Sequence, residues 1–223
     1  MNNHRTRIKI CGLTREADVI DAVAAGADAI GLVFYDASPR GISAARAAQL
    51  LKHAPPFVTA VGLFVNATVD QVHQVLTHAP ISLLQFHGDE SVEECAAIAV
   101  AVNRPYMRAV RIGAATTARD LLEYSSRYRA AGPLFAGLLL DALVDGYGGG
   151  GKVFDWSIIP EELAPQVVLS GGLSAHNATE AVARVRPFAV DVSSGVEIAK
   201  GIKDANAMRD FVMAVRQGDA LLR

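Results

Sequence analysis

Short apolar runs alternate along the chain with longer, Ala-rich segments of helical periodicity. The runs are nearly continuous in hydrophobicity, which is typical of strands buried on both faces of a sheet. The pattern predicts eight strands, at Arg7–Cys11, Ala29–Phe34, 57–65, 82–86, 106–111, 134–140, 166–169 and 188–192. It predicts helices after them, at Glu16–Ala25, 43–53, 68–78, Val92–Val102, 117–130, 155–159, 175–185 and 204–216.

Eight strand–helix units indicate a parallel sheet, because parallel strands need long crossover connections that are usually helical. Such a sheet either closes into a (β/α)8 TIM barrel or stays open and doubly wound. No glycine-rich dinucleotide turn follows the first strand, which favours the barrel. No linker or repeat interrupts the pattern, so we expect one (β/α)8-barrel catalytic domain over residues 1–223.

The composition narrows the classes of partner and compartment. Of 223 residues, 51% are hydrophobic and 20% are charged, which is enough apolar material for a large core. The net charge is −2 and basic residues are scattered, so we expect neither nucleic acid nor membrane as a partner. There are two cysteines and no signal-peptide pattern, which together predict a cytoplasmic location.

Titratable side chains stand at the ends of four predicted strands. These are Cys11, His87, Asp141 and Asp191. Each has a structural explanation when taken alone: a buried thiol that fills space, a core histidine, a capping carboxylate and an anchor for the next turn. In a barrel, however, the carboxyl ends of all strands meet at one mouth, where active sites of this fold lie. The shared placement therefore favours a catalytic site.

Two glycine turns and one arginine suggest the charge of the substrate. The seventh strand leads into Ser170-Gly171-Gly172 and the eighth into Ser193-Ser194-Gly195, which match the phosphate-binding position of this fold. Two ordinary tight turns are the alternative. Arg40, in the loop after the second strand, is either a solvated surface residue or a bidentate partner for a carboxylate.

The glycine-rich stretch 146–152 has the opening of a nucleotide-binding P-loop. Val153 stands where that loop needs a Ser or Thr to hold Mg²⁺, which argues against nucleotide binding. We expect a mobile flap with glycine hinges instead.

Taken together, these segments resemble the phosphoribosylanthranilate isomerase family. The matching stretches are 9–14 (KICGLT), 34–40 (FYDASPR), 61–66 (VGLFVN), 84–88 (LQFHG), 138–141 (LLLD), 147–156, 169–173 (LSGGL) and 186–197 (RPFAVDVSSGVE). They span the chain in family order. One departure is Gly150, where the family usually has a Ser or Thr.

The resemblance implies an aldose–ketose isomerase of tryptophan biosynthesis. Its reaction is the Amadori rearrangement of N-(5-phosphoribosyl)anthranilate to 1-(2-carboxyphenylamino)-1-deoxyribulose 5-phosphate. By resemblance, Cys11 is the general base, Asp141 is the general acid, Arg40 contacts the anthranilate carboxylate, and His87 and Asp191 line the substrate site. The implied phosphate-binding residues are Gly171, Gly172, Ser193, Ser194 and Gly195. No cofactor or metal is expected, and the chain is expected to be a monomer or a homodimer.

Three other functions remain as alternatives. A synthase that closes the indole ring needs lysines at strand ends, but only Lys9 of the five lysines lies in a predicted strand. A dual-substrate isomerase of histidine and tryptophan synthesis would favour Asp in place of Cys11. A non-catalytic barrel that binds phosphorylated metabolites would need no pair of proton-transfer residues. Lys9 shares a strand face with Cys11, and we expect it to favour the thiolate if the two side chains meet.

Overall fold

Eight parallel strands form a closed barrel in which each strand pairs with its neighbours in chain order. The computed structural model describes residues 5–143 and 153–222. The strands are β1 (Arg7–Cys11), β2 (Ala29–Phe34), β3 (Thr59–Phe64), β4 (Leu83–Phe86), β5 (Tyr106–Ile112), β6 (Phe135–Ala142), β7 (Val168–Leu169) and β8 (Ala189–Val192). The barrel closes between β8 and β1, where Lys9 lies opposite Asp191. The barrel prediction is confirmed, and the open-sheet alternative is wrong.

Helices cover the outside of the barrel, and most of them begin at a residue whose side chain caps the first turn. They are α1 (Glu16–Ala25), α2 (Ala44–Leu50), α3 (Val69–His78), α4 (Val92–Val102), α5 (Ala118–Ala130), α6 (Ala178–Val185) and α7 (Ala205–Ala220). Ser43, Thr68, Ser91 and Thr117 each accept a hydrogen bond from a backbone N–H in the first turn, which stabilises the helix start. Gly26 ends α1 in a left-handed conformation with φ 103°, directly after the predicted helix end at Ala25.

Several boundaries differ from the predicted ones for identifiable reasons. The predicted helix 43–53 changes to a 3₁₀ turn at Leu51–His53, just before two prolines that a helix cannot continue into. Strand β6 extends to Ala142 because it stays paired with β5. Helix α6 starts later than predicted, since the side chain of Asn177 accepts from the N–H of Ser174 and holds a turn there.

An antiparallel hairpin after β8 was not predicted. It consists of β9 (Glu197–Ala199) and β10 (Ile202–Lys203), and it turns at Gly201, which has φ 78°. Lys203 is therefore a strand residue and is buried, so the expectation that Lys9 is the only strand lysine is wrong.

The strands are buried on both faces, as their continuous hydrophobicity predicts. Inside the barrel a small apolar cluster fills the lower layers, and it consists of Val61, Met107, Ala109, Leu139, Val168 and Ala189. The larger core lies between the strands and the helices. The inner face changes from these apolar residues to polar ones toward the carboxyl ends of the strands.

Within residues 5–143 and 153–222, none of the helices combines the length and the apolar character that a membrane crossing requires. The expected flap over 146–152, including Gly150, lies outside the described residues.

Candidate active site

Cys11 occupies the end of β1, where its side chain is 5% exposed. Gly31 is its partner in β2, and a Cβ atom at Gly31 would lie only 2.6 Å from the Cys11 Sγ atom. The Gly31 carbonyl also accepts hydrogen bonds from the N–H groups of Gly12 and Leu13, at 2.9 and 3.2 Å. Gly31 thus provides the space for the thiol and fixes the turn that follows it.

A buried ion pair lies one layer below Cys11 on the same inner face. Lys9 Nζ is 2.8 Å from Asp191 Oδ1, and both side chains are less than one-tenth exposed. Ser170 Oγ donates to the second Asp191 oxygen at 3.2 Å. Two charges are tolerated inside a protein only when they are paired and hydrogen-bonded, and this pair meets both conditions. Asp191, expected to line the substrate site, is thus held by two neighbouring side chains.

Burial has the largest effect on the pKa of Cys11 and raises it above the ordinary value for a thiol. The Lys9 ammonium lowers the pKa, as expected, while the Asp191 carboxylate raises it again. For Lys9 itself, burial lowers the pKa, but Asp191 and Cys11 raise it more, so Lys9 is charged at neutral pH. Cys11 is consequently a neutral thiol at neutral pH in the free protein.

Asp141 and His87 meet on the other side of the mouth. His87 Nε2 is 3.2 Å from Asp141 Oδ2, but the oxygen lies off the direction of the ring N–H. Nε2 therefore has no hydrogen-bond partner among the described residues. The Gln85 side-chain amide donates to His87 Nδ1 at 3.1 Å, which leaves the hydrogen of a neutral ring on Nε2.

A glycine also makes room for Asp141. A Cβ atom at Gly171 would lie 3.0 Å from Asp141 Oδ1 and 2.4 Å from the Ala142 nitrogen. Around the closed barrel β6 is separated from β1 by β7 and β8. Asp141 and Cys11 therefore stand on different sides of the mouth.

The second predicted phosphate turn contacts the residue that directly follows the first. A Cβ atom at Gly195 would lie 1.9 Å from the Leu173 carbonyl oxygen, so only glycine allows this approach. Gly171 and Gly172 have φ values of 84° and 65°, in the left-handed region. Within the described parts of the chain, the N–H groups of Gly171, Gly172, Ser194 and Gly195 donate to no backbone carbonyl. Such free N–H groups in adjacent turns form a suitable cradle for an anion.

Ser193 is already hydrogen-bonded within the protein. Its hydroxyl donates to the Cys11 carbonyl oxygen at 3.0 Å. A contact between Ser193 and an anion would therefore fall to its backbone.

Arg40 is buried and paired instead of solvated. Its Nε and Nη2 atoms donate to the two carboxylate oxygens of Glu197, at 2.8 and 2.7 Å. Lys203 Nζ lies 2.8 Å from the same carboxylate. Burial alone would raise the pKa of Glu197, but the hydrogen bonds from Arg40 and Lys203 lower it below its ordinary value.

Glu197 and Lys203 were not predicted as site residues. Glu197 lies within the resembling stretch 186–197, so its position was a signal that the sequence offered. Nothing in the sequence next to Lys203 distinguishes it from an exposed lysine.

Comparison with known proteins identifies the family. A sequence model of N-(5'-phosphoribosyl)anthranilate (PRA) isomerase matches residues 8–214. The chain belongs to this family. Within it, the N-(5'-phosphoribosyl)anthranilate isomerase of Herminiimonas arsenicoxydans is 66% identical over 99% of this chain and 97% of its own length. The isomerase of Ralstonia nicotianae is 57% identical over 98% of this chain and 96% of its own length.

Solved structures agree with the family assignment. The PRA isomerase of Thermotoga maritima superposes with a TM-score of 0.82 at 40% identity, covering 95% of this chain and 98% of its own. The chain is therefore an isomerase of tryptophan biosynthesis with a TIM-barrel fold, and these expectations are confirmed. The synthase and the non-catalytic metabolite-binding barrel are excluded as alternatives.

Proposed function

We propose that Cys11 and Asp141 are the acid–base pair of an Amadori rearrangement of N-(5-phosphoribosyl)anthranilate. Asp141, in its protonated form, donates a proton to the ribose ring oxygen, and the ring opens to a Schiff base. Cys11, as thiolate, removes the proton from C2, and the resulting enolamine becomes the ketone 1-(2-carboxyphenylamino)-1-deoxyribulose 5-phosphate. The reaction conserves all atoms and electrons, so the proposal requires no metal and no redox cofactor.

The observation that carries this proposal is the placement of the two groups. They lie at the ends of β1 and β6 on different sides of one mouth, and Gly31 and Gly171 leave space for their reactive atoms. A substrate between them would present its ring oxygen to one side and its C2 proton to the other. General acid and general base can then act on different atoms without exchanging positions.

The ligand of a solved relative supports the assignment of the remaining subsites. One PRA isomerase, 38% identical with a TM-score of 0.80, is in complex with reduced 1-(o-carboxyphenylamino)-1-deoxyribulose 5-phosphate. For a ligand of this kind we assign the phosphate to the turns with Gly171, Gly172, Ser193, Ser194 and Gly195. Its carboxylate is assigned to Arg40. His87 and Asp191 are assigned to the part of the site that lies between the phosphate and the carboxylate.

His87 has a second role in this proposal. Its Nε2–H is free and lies 3.2 Å from Asp141, so it can turn to donate a hydrogen bond once a ligand fills the mouth. A donor at this point stabilises the carboxylate that Asp141 becomes after it gives up its proton.

The wider assignments stay predictions. We propose that residues 1–223 form one catalytic domain, that the enzyme acts in the cytoplasm, and that neither nucleic acid nor membrane is a partner. The Thermotoga maritima relative is described as dimeric. For this chain we keep the expectation of a monomer or a homodimer.

Two substitutions test the acid–base pair. Cys11→Ala and Asp141→Asn should each lower kcat about 10²–10⁴-fold, the range expected for one well-placed proton transfer. Both should bind the reduced product analogue with a Kd close to that of the wild type. Cys95→Ala is the matched control for Cys11, because Cys95 is also a buried thiol but lies on α4, outside the barrel.

The pH profile separates the thiol from a purely structural role. Because burial raises the pKa of Cys11, the thiolate is scarce at neutral pH and increases about tenfold per pH unit. In Asp141→Asn, whose residual turnover no longer depends on a protonated carboxyl group, kcat/KM should rise with the same slope, and this slope should disappear when Cys11→Ala is added. A variant that keeps near-wild-type kcat, or an unchanged slope without Cys11, would remove that residue from the mechanism.

A further inference from the structure

Arg40 uses only one edge of its guanidinium group for the contact with Glu197. Glu197 accepts from Nε and Nη2, and Nη1 donates to no residue in the described parts of the chain. A guanidinium has five N–H donors in a rigid plane, so its Nη1–Nη2 edge can still bind a second carboxylate. The arginine is thus held on one side and available on the other.

The stem of Arg40 is fixed beside Cys11. A Cβ atom at Gly12 would lie 2.5 Å from Arg40 Cδ and 3.3 Å from Arg40 Cγ, so the stem packs directly over the residue that follows Cys11. Arg40 is also buried, with a side chain 11% exposed. Its free edge therefore lies at the mouth of the barrel, next to the proposed base.

Lys203 is bonded as a charged ammonium group. Its Nζ donates to Glu197 Oε1 at 2.8 Å, to the Ser193 carbonyl at 3.0 Å and to Ser193 Oγ at 3.3 Å. Three acceptors match the three donors of an ammonium group, whereas a neutral amine has only two. Burial lowers the pKa of Lys203, and the contact with Glu197 opposes this effect.

The three side chains together retain one positive charge. Arg40 and Lys203 are two cations, and Glu197 is a single anion between them. An isolated Arg40–Glu197 pair would be neutral overall and would attract a carboxylate only weakly. Lys203 offsets the charge of Glu197, and the positive charge of Arg40 remains available for an anionic ligand.

We propose that Glu197 and Lys203 are positioning residues for substrate binding. Glu197 orients the guanidinium of Arg40 toward a carboxylate on the ligand, and Lys203 offsets the charge of Glu197. This inference rests on the proposed contact between Arg40 and the anthranilate carboxylate, and it assigns a function to the β9–β10 hairpin that carries both residues.

The test compares two ligands that differ by one carboxylate. One is reduced 1-(o-carboxyphenylamino)-1-deoxyribulose 5-phosphate, and the other has a plain phenyl ring in place of the carboxyphenyl ring. Kd is measured for both by calorimetry or competitive inhibition. Glu197→Asp keeps the charge but shortens the side chain, so it should weaken binding of the first ligand about tenfold, as loss of a charge-assisted hydrogen bond does. Binding of the phenyl ligand should change less than twofold.

Lys203→Met tests the effect of charge. It should weaken binding of the carboxylate ligand about tenfold as well. Adding Glu197→Gln should recover part of the lost affinity, because the double variant regains the single positive charge of Arg40. Lys200→Met, which removes an exposed charge from the same hairpin, is the control and should change neither Kd. If Lys203→Met fails to fold, the Glu197→Asp result decides.

Arg40→Met separates the two levels of the proposal. If it weakens both ligands equally, Arg40 does not bind the carboxylate, and the positioning proposal falls with that contact. The other case is that Arg40→Met weakens binding of the carboxylate ligand only, whereas Glu197→Asp weakens binding of both ligands equally or of neither. Arg40 then keeps its role, and only the positioning role of Glu197 is wrong. In Glu197→Asp we also expect KM to rise about tenfold with kcat nearly unchanged.

Discussion

The two ends of the barrel use the same strands but opposite kinds of side chain. At the carboxyl end, buried polar groups such as Cys11, His87 and Asp141 face one another across the mouth. At the amino end, a cavity of about 320 Å³ is lined mainly by apolar side chains. Lys9 also lines this cavity, and its ammonium group reaches toward the polar end to bind Asp191.

The difference shows how the barrel divides its tasks. At the carboxyl end most charged groups have a partner. Gly31 and Gly171, which have no side chain, leave space there for the reactive atoms of Cys11 and Asp141. Changes there should alter rate or affinity. At the amino end the contacts join strands, helices and the chain termini, and changes there should alter the free energy of unfolding without affecting turnover.

The largest expected effect of an amino-end change is at Asp219. Its carboxylate accepts from the N–H and the hydroxyl of Thr6, at 3.0 and 2.7 Å, and from Arg216 at 3.1 Å. This buried contact ties the end of α7 to the residue before β1. Asp219→Ala leaves these donors unsatisfied and should lower the free energy of unfolding by about 3 kcal/mol, measured by urea denaturation.

The values of kcat and KM should not change in Asp219→Ala at a temperature where the variant is folded. Asp210→Ala removes an exposed carboxylate from the same helix and should cost less than about 0.5 kcal/mol. A clear loss of kcat in folded Asp219→Ala would contradict the separation between the two ends.

At the carboxyl end, Gly31→Ala should have an effect of similar size, but on turnover. The added methyl group would lie 2.6 Å from Cys11 Sγ and must displace the thiol. We expect kcat to fall about 10²-fold, because a general base displaced from its proton loses most of its contribution. Ala29→Gly is the control, because it removes one methyl group from the same face of β2 at a position further from Cys11. It should leave kcat unchanged. Wild-type kcat in Gly31→Ala would show that the position of the thiol does not limit the reaction.

The sequence predicted the barrel well because burial on both faces makes each strand a continuous apolar run. It predicted the four titratable strand ends because parallel strands bring their carboxyl ends to one mouth. It did not predict the Arg40–Glu197 contact, which joins positions 157 residues apart. Glu197 is followed by exposed residues, so its surroundings in the sequence resemble a surface loop.

The role of Gly31 was equally hidden in the sequence. A glycine inside a predicted strand usually indicates a bulge or a close approach of another group. Which group approaches depends on the register between two strands, and hydrophobic periodicity does not specify that register. The pairing of Cys11 with Gly31 became visible only when β1 and β2 were placed side by side.

The smallest expected effect concerns Phe57 at the amino end. Its side chain is fully exposed, and its backbone has φ 72°, a left-handed conformation that is unfavourable for a residue with a Cβ atom. In a side chain exposed to water, nothing offsets this strain. Phe57→Gly removes the strain and should raise the free energy of unfolding by about 1 kcal/mol, and Phe57→Asn should give a smaller gain.

Phe188→Asn is the matched control at the same end. Phe188 is partly exposed, has no positive φ, and lies under the Arg7 guanidinium at 4.4 Å, so its replacement should give no gain. If Phe57→Gly instead lowers stability, and the loss grows with protein concentration, the Phe57 ring is covered by a second molecule in solution. That result would overturn the assumption that the amino end faces water, and it would favour the homodimer over the monomer.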